Sequence, residues 1–372
     1  MSIPRVYAVG ATPVASYVSY EIAKLSLQPK VPQVVLLLQD LKKLHRFLQN
    51  DSKLSFTTGG HRSDIQFMAS GKPPTFGSDR LLEIENLIVG EPSRKSFSMS
   101  LNKYKKSTTP HSSILLLNPE FGLIENIYRY VWPDPSDRPQ LYVGLTQQDR
   151  LKKVSEFEVK LMGSGPIHLS ISPIPKNLPS YNYDDDVKYL QESIESNGLL
   201  GLLNNLKSDT VDHTIMPIFY PFGQLLLVRL RELFLASCIE PLAVLYGCQK
   251  YGELLKLEHT EGLVKSLLQE QISIFKKAYP FVENIPKSNK TLCIDELSVA
   301  LWKRVKWMEH VNPKMQQDIQ ALNSTNVNSL NGYFVSLANY RKVACPLNQM
   351  MLSLIKDRAL IGKNRALSDK YL

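Results

Sequence analysis

Over roughly the first 150 positions, apolar residues fall in short unbroken runs, each followed by a stretch of helical spacing. Residues 5–9, 34–38, 86–89, 113–117 and 140–145 read as strands, with helices over 13–25, 41–48 and 121–130 between them. A run as continuous as 34–38 suits a strand covered on both faces. Pro13 falls in a first helical turn, where a missing N–H costs little. Such alternation predicts an α/β domain, a Rossmann-type doubly wound parallel sheet with helices on both faces. Residues 157–161 and 167–171 alternate apolar and polar positions around Gly163 and Gly165 and predict a hairpin.

The pattern changes near residue 172. Pro173, Pro175 and Pro179 stand among Ser and Asn, the composition of a linker over 173–183. Asp184, Asp185 and Asp186 then open a helix, where acid suits the helix dipole. Helical periodicity follows over 225–246, 261–278, 294–310 and 330–340. The predicted organisation is a Rossmann-like domain over 1–172, a linker over 173–183 and an all-α domain over 184–372. No apolar run approaches the roughly 20 residues that span a bilayer. Lys and Arg total 44 against 35 Asp and Glu, and the net charge of +9 favours an anionic partner. Cys238, Cys248, Cys293 and Cys345 lack metal-ligand spacing, so no metal is expected, and a reducing compartment is. The chain opens almost directly on a strand, without a visible cleavable leader.

The turn after the first strand is where a dinucleotide fingerprint would lie. Gly10 takes the place of the first glycine and Ala15 that of the third, but Thr12 replaces the second, at which pyrophosphate approaches the backbone. After the second strand, Asp40 suits either a ribose ligand or a helix N-cap. The cradle therefore reads as vestigial, and no cofactor is expected. Candidate anion contacts are the basic segments Lys103, Tyr104, Lys105 and Lys106, and Lys303, Arg304 and Lys306 beside Trp302 and Trp307. Further basic residues gather at Lys42, Lys43 and Arg46, at Arg150 and Lys152, and at Lys363, Arg365 and Lys370. Tyr104 between lysines reads as exposed. The segment around Lys303 has the interleaved charge and indoles that suit base stacking, but reads first as an amphipathic helix that buries its tryptophans and shows its lysines to water.

Residues 113–122 (SILLLNPEFG), 157–169 (FEVKLMGSGPIHL), 232–255 (ELFLASCIEPLAVLYGCQKYGELL) and 326–356 (NVNSLNGYFVSLANYRKVACPLNQMMLSLIK) together resemble the ketopantoate reductases. That resemblance implies a catalytic Lys on the helix before Pro241 and two Asn at successive four-residue steps. With Pro241 setting the register, the three places hold Glu232, Ala236 and Glu240. The family's Thr-Glu-x-Asp becomes Thr325, Asn326, Val327 and Asn328, and the Lys after the fourth strand gives way to Gly90, Glu91 and Pro92. A positioned acid or base is worth roughly 10²–10⁴ in rate. A carboxylate about 4 Å from a carboxylate substrate costs on the order of 4 kcal/mol at an effective dielectric near 20, about a thousandfold in affinity. A pseudoenzyme is expected; an NADP-dependent reductase of altered specificity is the alternative.

Longer segments, among them 28–38 (QPKVPQVVLLL) and 44–53 (LHRFLQNDSK), look like the mitochondrial translational activators of cytochrome b messenger RNA in budding yeasts. This resemblance implies a non-enzymatic activator acting through the 5′ leader of that mRNA and the mitochondrial ribosome, directly or through other activators. It also implies a place on the matrix side of the inner membrane, peripherally held.

Overall fold

The computed structural model describes residues 3–10, 12–76 and 80–368; Lys370 lies outside them. The chain forms two compact units, 1–222 and 223–372.

The first unit begins β1 (Val6–Gly10), α1 (Pro13–Ala23), β2 (Val34–Leu37), α2 (Leu41–Gln49), β3 (Lys53–Thr58), β4 (His61–Gln66) and β5 (Met68–Ser70). A short ribbon, β6 (Thr75–Phe76) and β7 (Arg80–Leu81), precedes β8 (Asn86–Gly90), α3 (Arg94–Tyr104), β9 (Ser113–Leu117) and α4 (Leu123–Asn126). Then come β10 (Gln140–Leu145), β11 (Leu151–Ser155), β12 (Glu158–Leu161), β13 (Ile167–Pro173), α5 (Tyr183–Ser196), α6 (Gly198–Asn205) and β14 (Ile215–Phe219).

Eight of these strands make one sheet in the order β14-β13-β10-β9-β8-β1-β2-β5. From β5 to β10 all neighbours are parallel; β13 returns antiparallel to β10, and β14 lies parallel to β13. Every residue of β2, β8 and β9 is buried, which is why those runs carry no polar alternation. A smaller sheet, β11-β12-β3-β4, packs on α1, with Phe56 5.2 Å from both Tyr17 and Tyr20.

Two expectations are corrected here. Strands β12 and β13 form no hairpin: β12 pairs with β11 and β3, whereas β13 belongs to the large sheet. The reason is Arg150, whose guanidinium donates to the carbonyls of Met162, Ser164, Gly165 and Pro166 and holds the turn open as a crossing between sheets. The first unit also runs on past 172, to Phe222. Strand β14 extends the sheet, and Leu199, Leu200 and Leu203 of α6 enter the core beneath it. The proline-rich stretch at 173–183 is fastened down: the Ile174 amide donates to the Leu141 carbonyl, and Tyr128 and Arg138 bond the Pro175 and Lys176 carbonyls. Proline there ends the ladder and leaves the chain packed against the sheet.

The second unit is helical throughout its described residues: α7 (Phe222–Leu245, entering from the boundary), α8 (Thr260–Ala278), α9 (Ser288–Thr291), α10 (Ile294–Trp307), α11 (Lys314–Gln320), α12 (Asn331–Arg341) and α13 (Pro346–Ser368). Its apolar core includes Phe234 stacked on Phe334, with ring centroids 5.9 Å apart. Within it lies a buried polar chain. Pro241 has no N–H to offer the Ser237 carbonyl one turn back. The Asn331 side chain supplies the missing donor at 3.0 Å and also bonds Asn348 Oδ1, which accepts from Gln271 as well. Glu270 receives the Leu347 and Asn348 amides at the head of α13. Among the described residues no helix is long and apolar enough to cross a membrane.

Candidate functional site

At the carboxyl ends of β1 and β2, Gly10 adopts φ +136°, and a Cβ there would lie 2.0 Å from the Gly90 carbonyl oxygen. Gly10 thus serves the close approach of β1 to β8 as a structural need of its own. Thr12 caps α1: its hydroxyl accepts from the Ala15 amide and donates to the Gly90 carbonyl at 3.0 Å. The side chain standing where pyrophosphate would pass is therefore tied across the turn. Below it lies a narrow crevice lined by Gly10, Ala15, Lys43, Leu54, Glu156 and Phe157. Arg46 grips Glu156 with both nitrogens, at 2.6 and 2.8 Å, and Phe157 packs edge-on against Phe47. Asp40 is the N-cap of α2, accepting from the Lys42 amide at 2.9 Å. The residues present do not fit a dinucleotide.

Glu91, just after β8, accepts from Ser100, which in turn receives Gln39. Burial raises the Glu91 carboxyl above its ordinary range, against the pull of Ser100 and Lys43. Burial likewise lowers the Lys43 ammonium, and Lys153 adds to the effect.

On α7, Glu232, Ala236 and Glu240 share one face by their four-residue spacing. Both carboxylates are held inside the second unit. Glu232 pairs with Arg304, and Glu240 accepts from the Tyr251 hydroxyl and from the Met315 amide at 3.1 Å. Tyr251 is pushed up by burial, and by the nearby Glu240. Asn326 and Asn328 lie exposed on a single 3₁₀ turn. The structure thus ties Glu232 and Glu240 to neighbouring segments of the second unit.

The basic segments are sorted differently from the sequence reading. Tyr104 is fully buried, its phenol pushed up to about 12 by burial, so it offers no ring to a base; Lys103, Lys105 and Lys106 stay exposed around it. Arg150 is taken up by its four carbonyls, and Arg304 by Glu232. In α10 the burial of both tryptophans is overturned: Trp302 is half-buried, but Trp307 is 85% exposed. Leu297, Leu301 and Val305 form the buried stripe, and helical spacing puts positions 302 and 307 about 100° and 120° to either side of it, so the spacing did not separate the two; Trp307 is the last residue of the helix.

One cluster has no precursor in the sequence reading. His213, Glu21 and Asp209 have side chains at most 4% exposed, with His213 Nδ1 2.7 Å from Glu21 and Nε2 2.9 Å from Asp209. Thr214 donates to Glu21, and Ser26 to Asp209. Nearly 200 residues separate Glu21 from His213, and no local motif joins them.

Residues 224–359 match the ketopantoate reductase PanE/ApbA C-terminal family. The cytochrome B translational activator CBS2 of Saccharomyces cerevisiae is 36% identical over 388 aligned positions, covering all of this chain and 99% of that one. A Schizosaccharomyces pombe protein named as a probable 2-dehydropantoate 2-reductase is 26% identical over 97% of this chain and 98% of its own length. The crystal structure of 2-dehydropantoate 2-reductase from Methylococcus capsulatus superposes with a TM-score of 0.61 at 14% identity, covering 96% and 98% of the two chains, which shows a shared fold. With a cradle closed by its own side chains and a relative this similar from end to end, the chain belongs to the family of the yeast activator CBS2, on the ketopantoate reductase scaffold.

Proposed function

We propose that this chain is a non-enzymatic activator of cytochrome b translation in mitochondria, acting through the 5′ leader of the mRNA and the mitochondrial ribosome. The observation that carries this reading is the 36% identity to the yeast activator over the whole of both chains. The closed crevice and the ion-paired Glu232 support a pseudoenzyme, because neither a dinucleotide cradle nor a proton donor stands in its expected place. The net charge of +9 suits an anionic partner, and peripheral attachment at the matrix face of the inner membrane is in keeping with a chain that has no spanning helix among its described residues.

Pulse-labelling of mitochondrial translation products in cells lacking the protein tests the reading. Cytochrome b synthesis is expected to disappear while the other products persist and the mRNA remains. Unchanged cytochrome b labelling would defeat it.

A further inference from the structure

Trp307 closes α10 with its indole in solvent. The outward face of that helix, read at helical spacing, carries Val299, Lys303, Lys306 and Trp307, with His310 one turn on. The ring is also well positioned. Immediately after it the chain docks on the 251–252 turn: the Gly252 amide donates to the Glu309 carbonyl and the Tyr251 amide to the Val311 carbonyl, each at 3.1 Å. Gly252 is required for that approach, since a Cβ there would come within 2.9 Å of Glu309. Glu309 then holds Lys306 at 2.5 Å and His310 at 3.3 Å, the neighbours of Trp307 in the chain.

A rigid, exposed aromatic flanked by ammonium groups is the arrangement that receives unpaired bases on its face and their phosphates at its rim. We infer that the end of α10 is a stacking platform for single-stranded RNA, with Trp307 as the ring and Lys303 and Lys306 as the phosphate contacts. The choice of RNA rests on the translational reading above and on the positive charge of this face. A lipid surface fits less well, because Lys303, Lys306 and His310 break the apolar face that an interfacial helix needs. Glu309 offsets part of the charge, so stacking carries most of the binding. With two phosphate contacts the salt dependence is shallow, with a log–log slope of about −1.4.

The chain has three tryptophans, of which Trp132 is buried and Trp302 half-buried, so quenchable emission reports on Trp307. The full chain is titrated with a dodecameric oligouridylate and, in parallel, with phosphatidylcholine–phosphatidylglycerol vesicles. Quenching by the oligonucleotide is expected. Trp307→Ala, with an unchanged melting curve, is expected to bind about 5- to 150-fold more weakly by anisotropy of a labelled oligonucleotide. The double change Lys303→Glu and Lys306→Glu is expected to weaken binding and flatten the salt slope. Equal affinity in Trp307→Ala, or quenching by vesicles and not by the oligonucleotide, overturns the platform. Cytochrome b labelling is measured separately, so loss of the platform with labelling still dependent on the protein would leave the translational reading standing.

Discussion

His213 shows how one residue ties the first unit together. It lies in the segment leading into β14 and meets Glu21 on α1 and Asp209 on its own loop. Burial alone would depress the imidazole, but its hydrogen bonds to Glu21 and Asp209 outweigh it, and its pKa is raised above 6.5, with Lys24 opposing weakly. Burial opposes ionisation of Asp209 too, yet His213 and Ser26 hold its carboxyl well below the usual carboxylate range. A raised histidine stabilises fully below its unfolded value near 6.5 and loses that contribution as pH climbs through the folded value. A depressed aspartate stabilises above its ordinary 3.8 and loses that contribution as pH falls through the folded value. The cluster is therefore most stabilising between those limits. Urea midpoints of the full chain are expected to fall as pH rises above 6.5, and His213→Asn is expected to flatten that dependence. A wild-type midpoint that is level from pH 6 to 9 would remove this account.

Elements were far more legible than their partners. Runs of apolar residues located the strands of the large sheet, because a strand covered on both faces tolerates no polar position. The small sheet was obscured: 151–155 is almost wholly exposed, and its neighbour β12 pairs with β3 about a hundred residues earlier. Helix α10 was found, but the exposure of Trp307, its last residue, could not be read from the spacing. Between helices α7 and α12 the sequence showed both Pro241 and the Asn331-Gly332 step without showing that they meet. That meeting gives a firm expectation. Asn331→Ala leaves the Ser237 carbonyl without a donor and Asn348 Oδ1 with Gln271 alone in a fully buried place, and is expected to cost about 1–3 kcal/mol in urea denaturation. In a Pro241→Ala background the restored N–H can reach Ser237, and the cost of Asn331→Ala is expected to shrink by about 1 kcal/mol. Strict additivity would count against this coupling.

Across the whole molecule, what was retained and what was lost belong to different levels. The reductase architecture persists in the large sheet and in residues 224–359, because it depends on burial pattern and tolerates surface change. The chemistry depended on single side chains. Calorimetry of the intact chain with NADPH at millimolar concentration is expected to give no binding heat. Thr12→Gly alone is not expected to restore it, since Lys43, Glu156 and Phe157 would still fill the crevice. A measurable heat from the unaltered chain would show that the crevice opens.

The filling of that crevice has a bearing on descent. Thr12 is now bonded to Gly90, Glu156 to Arg46, and Glu232 to Arg304. Each of these side chains has a partner within its own unit. Substituting any of them removes one of those ties, so the crevice and the body around it cannot be altered independently. Innovation is left to the outer surface, where an indole can be tried and kept without disturbing what lies beneath.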